Sequence, residues 1–89
     1  MNIEFTDEFK KKTQQFIRKS PQLKSSFKKQ LALFKLNPFH PSLRLHKLKG
    51  SRSEQYALWI KGDLRALSIK SKTHTETYIF FDTVTHDEY

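Results

Sequence analysis

Four imidazoles, at His40, His46, His74 and His86, and the absence of any cysteine define the chemistry open to this chain of 89 residues. An imidazole with its ordinary pKa, about 6.5, can give or take a proton near neutral pH. Without cysteine there is no disulfide, no zinc thiolate and no thiolate nucleophile. The histidines are too scattered for the short spacings that gather metal ligands. Thr85-His86-Asp87-Glu88 does carry hard ligands, but adjacent residues seldom point at one centre. Two glycines in the whole chain leave no room for a phosphate-cradling loop or a dinucleotide fingerprint, and no hydrolase triad motif is present. Proton-transfer chemistry with no metal and no cofactor is the expectation.

Charge narrows the partners. Seventeen Lys and Arg against nine Asp and Glu give a formal charge of +8, which raises the on-rate of anionic partners. Nucleic acid and acidic protein segments both qualify. No run approaches the roughly 18 apolar residues that span a bilayer. The start, Met1 to Glu8, is acidic and unlike a signal peptide, so a cytoplasmic protein without a membrane partner is expected.

One domain is expected over residues 1–89, since this length cannot bury a second core. Eight Phe, three Tyr and one Trp supply apolar mass for a small one. Met1 to Phe5 alternates like a short strand. Thr6 or Asp7 can then cap a helix whose one face carries Phe9, Thr13, Phe16 and Ile17. Ser20-Pro21 reads as a capping Ser followed by Pro at a first helical position. Leu23, Phe27, Leu31 and Phe34 recur at helical spacing to about Leu36, where Asn37-Pro38 stops the helix. From there the period changes. Strands are expected at Tyr56 to Ile60, Leu64 to Lys70 and Thr77 to Val84, separated by turns at 61–63 and 71–74. Helices grouped before strands make an α+β fold, an antiparallel helix pair covering one face of an antiparallel meander. On the second strand Ala57, Trp59 and Lys61 would occupy the uncovered face. That face is either an RNA surface or a second small core around Trp59.

Three segments carry a resemblance. Asn37 to Gly50, reading Asn-Pro-Phe-His-Pro-Ser-Leu-Arg-Leu-His-Lys-Leu-Lys-Gly, resembles the helix end and H-x-L-x-G motif of the RelE/ParE superfamily of toxins, nearest its YafQ-like branch. Gly62-Asp63-Leu64-Arg65 resembles that branch's turn-and-strand motif. Thr85-His86-Asp87-Glu88-Tyr89 resembles its T-H-x-x-[FY] ending. The order of elements is also the family's β-α-α-β-β-β order, and the likeness spans nearly the whole chain.

That resemblance implies a toxin of a type II toxin–antitoxin pair, neutralised by a cognate acidic antitoxin. It implies a ribosome-dependent endoribonuclease that enters the ribosomal A site, touches ribosomal RNA and cuts mRNA through attack of a ribose 2′-hydroxyl, without a metal. Such a cut needs a base, an acid and stabilisation of a charged transition state. His46 and His86 fall on the matched motifs and take the proton transfers, their order open. Asp63 matches the family carboxylate, as a base or as the group that orients a histidine. Arg65 takes the scissile phosphate, for which a planar guanidinium suits. Arg44, Lys47, Lys49 and Lys61 flank these positions as expected phosphate contacts. Lys10, Lys11, Lys12, Arg18, Lys19, Lys24, Lys28 and Lys29 fit ribosomal RNA or the antitoxin. His40 and His74 are expected in loops. Two departures stand out. Trp59 occupies the place, four residues before the carboxylate, where the branch often has another histidine; Trp can stack on a base but cannot carry a proton. Tyr89, a base-stacking or phosphate contact, follows His86 by three residues where the branch has four. A ParE-like gyrase inhibitor that cuts nothing, or a decayed toxin, are the alternatives.

Overall fold

The computed structural model describes residues 1–85. Its elements are β1 (Asn2–Phe5), α1 (Asp7–Lys19), α2 (Leu23–Leu36), β2 (His46–Lys47), β3 (Gln55–Lys61), β4 (Leu64–Lys70) and β5 (Thr77–Thr85). They form one α+β unit with a single sheet of five strands in the order β1-β5-β4-β3-β2.

Local chemistry sets most boundaries. Thr6 caps α1, its Oγ1 accepting from the Phe9 amide at 3.1 Å, with Asp7 and Glu8 in the first turn and Arg18 and Lys19 in the last. That charge order suits the helix dipole. Ser20 closes α1 rather than opening α2: its amide donates to Phe16 O, and its carbonyl accepts from the Leu23 amide at 2.9 Å. The expected capping role of Ser20 is therefore corrected. Pro21 and Gln22 form a turn, and α2 begins at Leu23 without a side-chain cap. It ends at Leu36 ahead of Asn37-Pro38, as the sequence indicates.

The meander holds as well, with two additions. β3 pairs antiparallel with β4, and β4 with β5. The two-residue strand β2, His46–Lys47, joins the β3 edge antiparallel. β1 lies parallel to β5, Asn2 beside Thr77 and Phe5 beside Phe80, so the sheet is mixed rather than wholly antiparallel. Short strands at both edges leave little exposed ladder for stray pairing.

Both helices pack on the same face. Phe9 of α1 and Phe27 and Phe34 of α2 are buried with Leu43, Leu58, Ile60, Leu64, Ala66, Tyr78 and Phe80. Phe34 is fully buried and meets Tyr78 and Phe80 edge-on, with ring centroids 5.0 and 5.6 Å away. Edge-to-face geometry suits the aromatic quadrupole. Thr13 of α1 and Thr83 of β5 share a hydroxyl hydrogen bond of 2.8 Å across this core. Among the described residues the opposite face has only a small cluster, Ala57, Leu67 and Val84, with Leu48 and Phe81 against it.

Candidate functional site

The β3–β4 hairpin turns through Gly62, whose φ of +57° is costly for residues with a Cβ. Cross-strand pairing sets Trp59 directly opposite Arg65, and a bulge between Trp59 and Lys61 reaims the chain before the turn. Ala57 and Val84 are buried on the uncovered face. Alternation along β3 and the Arg65–Val84 pairing therefore put Trp59 and Arg65 on that face too. Both are half-buried. The Trp59 indole N–H donates to Gly62 O at 2.8 Å, and Arg65 Nη1 donates to the same carbonyl at 3.0 Å and to Leu64 O at 3.3 Å. One turn carbonyl thus orients both side chains.

Arg44 joins them from a separate segment. A 3-10 turn over Pro41–Leu43 ends at Arg44, which adopts a left-handed conformation, φ 48° and ψ 36°. Its amide closes that turn onto Pro41 O at 3.2 Å. The guanidinium lies over the Trp59 ring, 4.4 Å from the centroid. A cation over the electron-rich face of an indole is a favourable arrangement.

His46 reaches the same face through register. It pairs with Ala57 on β3, so its exposed side chain stands beside the row that holds Trp59. Two strand spacings and two residue steps separate its Cα from that of Arg65, roughly 12 Å. Its Nδ1 lies 3.2 Å from Arg44 O. A carbonyl only accepts, so this contact assigns the proton to Nδ1 and, in the neutral ring, the lone pair to Nε2.

Sequence alone did not find the group that holds these pieces together. Gln30 of α2 is buried at 3% exposure, and its Nε2 donates to Ser42 O at 3.2 Å and to Trp59 O at 2.9 Å. It ties the turn before Arg44 to the strand bearing Trp59. The signal was present: Gln30 lies three residues after Phe27 and four before Phe34, a polar residue on an apolar stripe.

The other expected residues divide. Asp63 is exposed in the hairpin turn, and no described residue bonds or ion-pairs with its carboxylate. Lys61 is exposed at the end of β3. Lys47 pairs with Tyr56, so the strand period turns it away from His46 toward the opposite face. Lys49 lines a shallow hollow of about 330 Å³ with His46, Lys47, Leu48 and Arg52. His86 and Tyr89 lie outside the described residues. His40 caps the 3-10 turn, its Nδ1 accepting from the Ser42 amide at 3.2 Å, and His74 sits in the β4–β5 connection beside Thr73. Among the basic residues of α1, Lys12 is engaged with Asp82 of β5 at 3.0 Å, while Lys10, Lys11 and Arg18 rim an exposed hollow with Gln14 and Gln15. The second small core is real, but Trp59 lies beside it rather than in it. Among the described residues no group of three potential metal ligands comes together.

Known structures agree with this architecture over nearly its full length. A YoeB/ParE toxin from Agrobacterium tumefaciens superposes with a TM-score of 0.76 at 16% identity, covering 97% of this chain and 99% of that one. A DinJ–YafQ toxin–antitoxin complex from E. coli matches at 0.73 and 18% identity, covering 98% of this chain and 93% of the other. A metal-bound toxin from Helicobacter pylori matches at 0.73 and 24% identity, covering 99% and 97%. No protein-family model and no curated protein matches the sequence. At these identities the likeness establishes the fold, and it is the fold of YoeB/ParE- and YafQ-type toxins, in agreement with the three sequence motifs.

Proposed function

We propose that this protein is the toxin of a toxin–antitoxin pair and acts as a ribosome-dependent endoribonuclease on mRNA. The observation that carries the reading is the sharing of one uncovered sheet face by an imidazole and a guanidinium, His46 and Arg65, beside an aromatic ring and a second guanidinium. RNA chains are bound by such combinations of cations and stacking surfaces.

In this reading His46 is the general base. With its proton on Nδ1, held toward Arg44 O, the lone pair on Nε2 takes the proton of a ribose 2′-hydroxyl. The 2′-oxygen forms a bond to phosphorus as the bond to the 5′-oxygen breaks. Arg65 spreads its charge over the non-bridging oxygens while negative charge builds. A proton from the general acid, assigned to His86, reaches the departing 5′-oxygen. The products are a 2′,3′-cyclic phosphate and a 5′-hydroxyl. Asp63, at the turn that leads into Arg65, completes the proposed set as a carboxylate that orients a protonated imidazole. Lys49 and Lys61 steer the backbone of mRNA or ribosomal RNA, and no metal enters the step.

The proposed antitoxin is acidic, in keeping with the formal charge of +8. Its most suitable landing site is the groove of about 430 Å³ where Leu36 and Phe39, 85% and 84% exposed, meet Met1, Tyr78, Lys35 and Lys70. Apolar patches rimmed by charge are typical of partner surfaces.

Induced expression followed by primer extension on cellular transcripts tests the activity. The expected result is translation arrest with discrete cuts, both abolished by H46A together with H86A. Undiminished cutting by the double variant would refute the assigned roles. DNA damage without transcript cleavage would instead identify a gyrase inhibitor, and normal growth of cells expressing the folded wild-type chain a decayed toxin.

A further inference from the structure

The Arg44–Trp59 stack does more than fill space. We propose that it is a nucleobase subsite closed by its own lid: a single-stranded base takes the place of the guanidinium on the indole, and the displaced Arg44 turns to the neighbouring phosphate. This deepens the RNA-cleaving reading and rests on it.

Three features build the subsite. First, the indole is locked. Its N–H is committed to Gly62 O at 2.8 Å, so the ring presents one fixed face rather than rotating when its cover leaves. Second, both arms are anchored at the backbone while the covering side chain is not. Gln30 holds Trp59 O and Ser42 O from inside the core. The Arg44 amide is fixed to Pro41 O, and its left-handed backbone sets where the side chain starts. Arg44 itself is exposed, and its guanidinium has no described ion pair, only the ring. Third, the next cation is already in place. Arg65, directly across the strand pair from Trp59, points to the same face and is half-buried. A base on Trp59 would hold its own phosphodiester between Arg65 and the released Arg44.

Exchange is favourable in direction. An exposed cation–π contact is weak, whereas a base stacked on an aromatic ring is stronger and tolerates any base, since each has a π face. A guanidinium moving from ring to phosphate gains an anionic partner and displaces a counterion. The subsite therefore selects for an unpaired nucleotide rather than for a sequence, because a base within a duplex cannot leave its own stack without cost.

Trp59 is the sole tryptophan, so its fluorescence reports this site alone. The full chain is titrated with a 2′-O-methyl oligoadenylate trinucleotide, which cannot be cleaved, and with the same trinucleotide lacking its central base. The expected result is saturable quenching by the first and binding at least about fivefold weaker by the second, the lower end of what one stacked base contributes. R44M is expected to weaken binding and to lower the salt dependence by about one phosphate contact. W59L, followed by anisotropy of the labelled trinucleotide, should bind both oligonucleotides equally; if it fails to fold, W59F should retain the preference for the intact base. Equal affinity and equal quenching by the two trinucleotides, or an unchanged salt dependence in R44M, would overturn the subsite. Transcript cutting by the wild-type protein would survive that outcome, whereas base-dependent quenching without any transcript cutting would remove the nuclease reading and leave the subsite.

Discussion

The two faces of one sheet have been put to opposite uses. Beneath α1 and α2, Phe9, Phe27, Phe34, Leu58 and Phe80 interlock in a buried core. On the other side, among the described residues, burial stops at Ala57, Leu67 and Val84 with Leu48 and Phe81 against them, and beside that small cluster stand Trp59 and Arg65 with Arg44 and His46 around them. The covered face gains its energy from apolar area and ring packing. The open face has little of either and spends its hydrogen bonds on orientation, as when Gly62 O receives both Trp59 and Arg65. The contrast teaches where mutation should cost stability and where it should cost only binding or chemistry.

The sharpest way to break the contrast is F34A. Removing a fully buried ring that meets Tyr78 and Phe80 is expected to cost about 3–5 kcal/mol in urea unfolding; a loss below about 1 kcal/mol would deny the covered face its role. R65A comes next and should invert the pattern. Cleavage in a reconstituted ribosome assay is expected to drop about 10²–10³-fold, in line with loss of a donor to a developing negative charge. The unfolding midpoint should barely move, since among the described residues only the bonds to the Gly62 and Leu64 carbonyls are lost. A large stability defect with intact cleavage would reverse the assignment of the two faces.

Q30L probes the point where the faces communicate. Leaving the Ser42 and Trp59 carbonyls without their buried donor should cost about 1–3 kcal/mol and change the Trp59 emission spectrum; unfolding like wild type would show that the tie is idle. T6A is a smaller test, expected at about 1 kcal/mol from loss of the α1 cap, with cleavage per folded molecule unchanged. The least effect belongs to Lys70, whose ammonium sits over Tyr56 and Tyr78 and is held above the usual lysine range, chiefly by Tyr78 and then Tyr56. A raised folded pKa means its contribution is present below the ordinary lysine pKa and fades as pH rises through the folded one. K70M should therefore lower stability slightly at neutral pH and converge on wild type as pH rises through the folded lysine pKa, and a difference that persists undiminished in strong alkali would contradict that cause.

Periodicity and punctuation were enough for most of the architecture. The stripe of Phe9, Phe16 and Ile17, the spacing of Phe27 and Phe34, the stop at Asn37-Pro38 and the Gly62 turn each act within a few residues, so they are legible in one dimension. The motifs around His46, Gly62-Asp63 and His86 singled out the candidate chemistry before any coordinates. Tertiary structure alone decided the parallel pairing of β1 with β5, the opposed directions of His46 and Lys47, the guanidinium on Trp59 and the reach of Gln30 across to two carbonyls. Each of these depends on strand register or on segments distant in the chain, and register is set only when one face of the sheet is buried.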